Sequence, residues 1–95
     1  MDYNMKKTGE RIRNLRKERD LTQEEAAAEL MVDTRAYGRI ERGERGASVD
    51  ILIAIASFYG VSLDYLILGK EPQEQLVRQQ IHRIAQQMNE LEKLL

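Results

Sequence analysis

The chain has 95 residues, enough for one domain and a short appendage but not for a multi-domain enzyme. With 42% hydrophobic and 33% charged residues, four tyrosines, one phenylalanine and one proline, it reads as a compact, soluble, helix-rich protein, neither disordered nor membrane-embedded. The formal net charge of −1 says nothing by itself about partners, and the absence of cysteine excludes disulfides, thiolate nucleophiles and zinc ribbons.

Residues Met1 to Lys7 carry no apolar run, so no signal peptide is expected. From Lys7 to Arg19, Ile12 and Leu15 stand at helical spacing among charges, which predicts a first helix ending at Asp20. Thr22 and Glu25 then form a T-x-x-E capping box with Leu21 at the staple position, opening a short alanine-rich helix from Gln23 to Leu30. After Met31 and Val32, Asp33 caps a third helix, Thr34 to Arg42, that stops at Gly43. Ser48 caps a fourth, which runs to Tyr59 and ends at Gly60. Its stretch from Ile51 to Ala56 is the longest apolar run, far below the ~20 residues that span a bilayer. Ser62, with Asp64 in the first turn, caps a fifth helix ending at Leu68 and Gly69. Pro72 suits the first turn of a last helix that can run to Leu95. These signals predict an all-α protein of the cytoplasm with no membrane partner, divided into a five-helix domain over 1–69 and a terminal helix over 70–95.

The charge is unevenly spread. Residues 6–19 hold seven Lys/Arg against two Glu, residues 20–30 hold four acids and no base, and residues 33–46 carry arginines 35, 39, 42 and 45 against three acids. A mildly acidic chain can therefore still present a basic face. Two short helices joined through Met31, Val32 and Asp33 make a helix-turn-helix, whose second helix can enter a DNA major groove. On that helix Tyr37 and Ile40 must face the core, which turns Thr34, Arg35, Gly38, Arg39 and Arg42 outward. Three arginines at i, i+4 and i+7 repel one another on an isolated helix, so phosphates or guanines are their natural receivers. The bland reading is a solvated face, with Arg35 or Arg39 pairing loosely with Glu41 or Glu44.

The residues Arg11-Ile12-Arg13-x-Leu15-Arg16, Leu21-Thr22-Gln23-Glu24-Glu25-x-Ala27, Arg39-Ile40-Glu41-Arg42-Gly43 and Gly60-Val61-Ser62-Leu63-Asp64-Tyr65-Leu66 resemble the Cro/CI-type helix-turn-helix family of bacterial and phage repressors. The resemblance implies a lambda-repressor-like five-helix fold that binds double-stranded DNA. Carried over residue by residue, it implies base reading by Thr34, Arg35 and Arg39, with Gly38 allowing close approach, and a phosphate clamp at Gln23. Arg42, Arg45 and the amides from Gly43 to Gly46 are further phosphate candidates, Arg11 and Arg13 weaker ones, and Arg16 with Glu41 is a supporting pair. Three positions depart from the family. Met31 stands where Gly is usual, Ala26 replaces a larger apolar residue, and Gly38 lies inside a helix at a cost of about 1 kcal/mol against Ala.

Surplus apolar residues predict self-association. On the fourth helix Ile51, Ala54 and Phe58 form a second face beyond the core positions Leu52, Ile55, Ala56 and Tyr59. In the tail Val77, Ile81, Ile84, Met88, Leu91 and Leu95 are spaced as a heptad seam. Either two tails pair as a coiled coil, or each covers the Ile51/Phe58 face of its own or its partner's domain. The expected function is a homodimeric, sequence-specific regulator of transcription, a repressor on inverted-repeat operators. An antitoxin-like or adaptor module on the same fold is the alternative. With no cysteine, a lone surface histidine at His82, no Gly-rich phosphate loop and Glu24-Glu25 spent on a cap, no enzyme, metal, cofactor or small-molecule ligand is expected.

Overall fold

The computed structural model describes residues 3–70 and 73–95; Pro72, expected in the first turn of the last helix, lies outside them. Among the described residues there are six helices and no strand: α1 (Met5–Glu18), α2 (Gln23–Leu30), α3 (Thr34–Glu41), α4 (Val49–Tyr59), α5 (Leu63–Leu68) and α6 (Gln73–Glu92). No helix among them is long and apolar enough to cross a membrane.

Each of the first five helices starts where a side-chain oxygen meets an otherwise orphaned backbone amide. Asn4, Asp33, Ser48 and Ser62 accept from the amides of Lys7, Ala36, Ile51 and Tyr65 at 3.0–3.2 Å. Thr22 and Glu25 close their box in both directions, at 3.1 and 3.0 Å. Asn4 explains why α1 begins two residues before the expected Lys7: it caps without an acid three positions on, the feature that marks a start most plainly. α3 stops one residue short of Arg42, which becomes its cap, and α6 stops at Glu92 rather than Leu95.

Three of these helices end on a left-handed residue. Gly60 and Gly69 reach φ 67° and 72° without strain, but α2 ends on Met31 at φ 56°. Met31 is 93% exposed, so its side chain returns little packing for the strain. Met31→Gly should stabilise the fold by about 0.5–1 kcal/mol, the relief of strain exceeding the added freedom of the unfolded chain. Thermal unfolding would register this as a rise of a few degrees.

Ile12, Ala26, Ala27, Tyr37, Ile40, Ile55, Ala56, Tyr59 and Leu66 form one buried cluster drawn from all of α1 to α5. Gly9 sets the crossing of α1 and α3. A Cβ there would collide with the backbone carbonyls of Ile40 and Glu41, so only a hydrogen lets α1 pass the end of α3 this closely. Thr8 is buried beside it and donates its hydroxyl to the Leu66 carbonyl at 2.8 Å, joining α1 to α5.

The second face of α4 packs in part against the chain's own core. Ile51 and Phe58 are half-buried against the core, alongside Tyr65 and Ile67 of α5. Arg19, just past α1, donates to the Phe58 carbonyl at 2.7 Å and lays its guanidinium 5.3 Å from the Phe58 ring centre. The sequence predicts this face as an association surface; in the folded bundle Ile51 and Phe58 form a half-buried rim of the core. The α6 seam is different. Val77, Ile81, Ile84, Met88 and Leu91 are 48–64% exposed.

Candidate nucleic-acid interface

The relation between α2 and α3 is held by one buried carboxylate. Glu41, at the last turn of α3, is 3% exposed. It accepts from Arg16 Nε at 2.7 Å and Arg16 Nη2 at 3.0 Å, a fork-to-fork pair, and from Gln23 Nε2 at 3.1 Å. The third guanidinium nitrogen of Arg16, Nη1, donates to the Leu21 carbonyl at 2.8 Å, just ahead of α2. One carboxylate therefore ties α1, α2 and α3 together. Burial pushes its pKa up, but the hydrogen bonds from Arg16, Tyr37 and Gln23 outweigh this and hold it below the ordinary carboxylate range. The same contact raises Arg16 above its ordinary value. Beneath it the Tyr37 and Tyr59 hydroxyls meet at 2.9 Å, and burial first, with those bonds, drives Tyr37 far above a normal phenol.

This node fixes the outward face. Thr34, Arg35 and Arg39 are exposed on α3, whereas Gly38 is buried under two neighbouring side chains. A Cβ at Gly38 would lie 3.1 Å from Arg42 Nη1 and 3.3 Å from Gln23 Oε1, so the bare glycine gives these two flexible side chains room to lie close over the helix. Gln23, Asp33, Thr34, Arg35, Gly38 and Arg42 line an open depression of about 550 Å³. A second, of about 700 Å³, takes in Lys6, Glu10, Arg13, Arg16, Glu41 and Glu44 and shares Gln23 and Arg42 with the first. The two form a continuous strip from the start of α3, past the start of α2, to α1.

The other basic residues divide between this strip and elsewhere. Arg13 is exposed and lines the strip. Arg42 lines it too, with its guanidinium paired to Glu44 at 3.2 Å in solvent. Arg45 is exposed in the connection between α3 and α4. Arg11 is drawn away: its guanidinium donates to the Leu66 carbonyl at 3.0 Å and packs where a Cβ on Gly69 would sit. It serves the end of α5, where unpaired helix carbonyls attract a cation, and leaves the phosphate candidates. Lys6 enters the strip without having been singled out by the sequence. Its place depends on Gly43, whose missing Cβ makes room for the Lys6 backbone. The lysine-rich start of α1 was the signal that could have found it.

Two short helices locked at a fixed angle, the second presenting exposed arginines beside the first helix's amino terminus, define a helix-turn-helix protein. A helix-turn-helix family model matches residues 12–66, from α1 to α5. The transcriptional regulator ImmR of Bacillus subtilis is 29% identical over 91 residues, covering 92% of this chain and 72% of ImmR. The cryptic phage CTXphi transcriptional repressor RstR of Vibrio cholerae is 38% identical over 61 residues, 64% of this chain and 55% of the repressor. Among solved structures, the P22 c2 repressor protein in complex with a synthetic operator superposes with a TM-score of 0.64 at 32% identity, covering 66% of this chain and 96% of that one. The chain belongs to the Cro/CI-type helix-turn-helix family of DNA-binding transcriptional regulators, with a lambda-repressor-like fold. Neither the family nor these relatives are enzymes.

Proposed function

We propose that the chain is a repressor that binds inverted-repeat operators in double-stranded DNA as a homodimer, with residues 1–69 as the DNA-binding domain and 70–95 as the dimerisation helix. The observation that carries the reading is the exposed face of α3, with Thr34, Arg35 and Arg39, next to a strip that Gln23, Arg42 and Arg13 line. In this reading α3 lies in the major groove. Arg35 and Arg39 donate in pairs to guanine N7 and O6, and Thr34 touches a base edge at the helix start. Gln23 is the phosphate clamp. Its Oε1 faces Gly38 and its Nε2 gives one hydrogen to Glu41, which leaves the second Nε2 hydrogen and the first backbone N–H groups of α2 to donate to the sugar-phosphate chain. Lys6, Arg13, Arg42 and Arg45 add positive charge along the same backbone. The repressor role rests on RstR and the P22 c2 protein, both named repressors.

Selection of bound sites from random duplexes tests this. The expected product is an inverted repeat whose half-site centres lie about 34 Å apart, or a multiple of that, because a two-fold dimer meets equivalent groove faces only at that period. Affinity should fall steeply as salt rises. Enrichment of no sequence, with binding indifferent to salt, would leave the fold as a protein-interaction module.

A further inference from the structure

The exposed seam of α6 is graded along its length. Its first three members, Val77, Ile81 and Ile84, are β-branched; its last three, Met88, Leu91 and Leu95, are unbranched at Cβ and longer. Spacings of 4, 3, 4, 3 and 4 put Val77, Ile84 and Leu91 at d positions and Ile81, Met88 and Leu95 at a positions. Every described side chain from Val77 onward is exposed, so among the described residues none covers the seam.

We propose that α6 pairs with α6 of a second copy in antiparallel orientation, in a register centred on Gln86. The proposal rests on the homodimeric reading above and adds its geometry. In that register Val77 meets Leu95 of the partner subunit, Ile81 meets the partner's Leu91, and Ile84 meets the partner's Met88. Every layer joins one β-branched side chain to one long unbranched one, so volumes even out along the seam. A parallel pair would instead set each residue against itself, with Val and Ile at d, where two-stranded parallel coiled coils favour Leu, and with Met against Met at a. Leu95 lies beyond the last helical residue, Glu92, so the four inner layers carry the pairing.

Charge and spacing agree. In the antiparallel register Arg78 faces Glu92 of the partner subunit, twice by symmetry, at the e positions that flank the seam. In the parallel register the flanking pairs are Gln80 with the partner's Ala85 and Gln87 with the partner's Glu92, which bring no opposite charges together. An antiparallel pair also separates the two Gln73 residues by about 39 Å along the axis, at 1.5 Å per residue. That is close to the ~34–36 Å between half-sites one turn apart. A parallel pair would start both helices side by side, roughly 10 Å apart.

The chain has no cysteine, so single cysteines report orientation cleanly. Gln87 and Glu92 lie at the edge of the seam. Full-length Gln87→Cys and Glu92→Cys would be treated with a short bis-maleimide, separately and mixed, at a concentration where sedimentation gives the oligomeric state. The antiparallel pair predicts that Gln87→Cys alone becomes a covalent dimer as its main product, since Gln87 then faces its own copy. The mixture should give no 87-to-92 product. An 87-to-92 product without the 87-to-87 one means a parallel dimer, which overturns the orientation and keeps the homodimer. A dimer yielding neither product moves the interface off α6 and overturns the proposal as well. A monomer or a higher oligomer by sedimentation overturns both orientation and homodimer, while salt-dependent duplex binding by the same sample would still report separately on DNA recognition.

Discussion

Glu41→Ala should cost the fold about 3–5 kcal/mol, read as a drop in the urea midpoint with an unchanged slope. The size comes from what is left behind. The Arg16 side chain is 12% exposed and that of Glu41 1%, so removing the carboxylate leaves a largely covered guanidinium with the Leu21 carbonyl as its remaining acceptor. Gln23 loses its acceptor in the same step, and the side chain that bridges α2 and α3 is released. Arg16→Met combined with Glu41→Leu should recover much of the loss, because taking away both charges removes the desolvation penalty along with the attraction. A double variant as unstable as Glu41→Ala would show that the loss lies in packing rather than in an uncompensated charge.

The same carboxylate gives the fold a pH dependence of definite sign. Glu41 is held below the ordinary range in the folded state and titrates near ~4.3 when unfolded, so the unfolded chain binds the proton more readily. Its contribution is complete above that value and is lost as pH falls through the folded pKa. Glu25, held down by its bonds to Thr22, and Glu44, held down by Arg42, act in the same direction at the surface. The urea midpoint should therefore fall on acidification below about pH 4, and Glu41→Ala should flatten that fall.

Local chemistry was legible in the sequence and tertiary accounting was not. The capping box at Thr22, the serine caps and the terminal glycines mark their helices because a cap is decided within four residues. Arg11 is the opposite case. On the helix surface it looks like Arg13, and only the approach of α5, 55 residues later in the chain, brings the Leu66 carbonyl within its reach. Ile51 and Phe58 looked surplus because periodicity counts one core face per helix. Both pack against the buried cluster drawn from five helices, and Arg19 lies over the Phe58 ring, contacts that no periodicity encodes. Gly38 was legible as a place for close approach, but not as the seat of the Gln23 and Arg42 side chains, which depends on how α2 crosses α3. Lys6 was hidden for the same kind of reason, since the strip it joins exists only once α1 has passed α3 at Gly9.

Arg35→Ala and Arg39→Ala should each weaken binding to the selected operator by about 1–3 kcal/mol, roughly 5- to 150-fold, and relax preference at one position per half-site. Neither should change stability by more than about 0.5 kcal/mol, because both side chains are exposed on α3 and support nothing beneath them. Arg13→Ala and Gln23→Ala are the comparison. Both sit on the strip that would follow the sugar-phosphate backbone, so each should weaken selected and unselected duplexes alike. Arg13→Ala should also lower the salt slope by about one, and Gln23→Ala should leave it unchanged because the amide carries no charge. Arg11 supplies an internal control: the α5 terminus holds it away from the strip, so any loss on Arg11→Ala should appear in the unfolding midpoint rather than in the slope of binding against salt. If the two α3 arginine variants instead keep wild-type affinity and preference on the selected site, the bases are read elsewhere, and α3 crosses the duplex without its arginines in the groove.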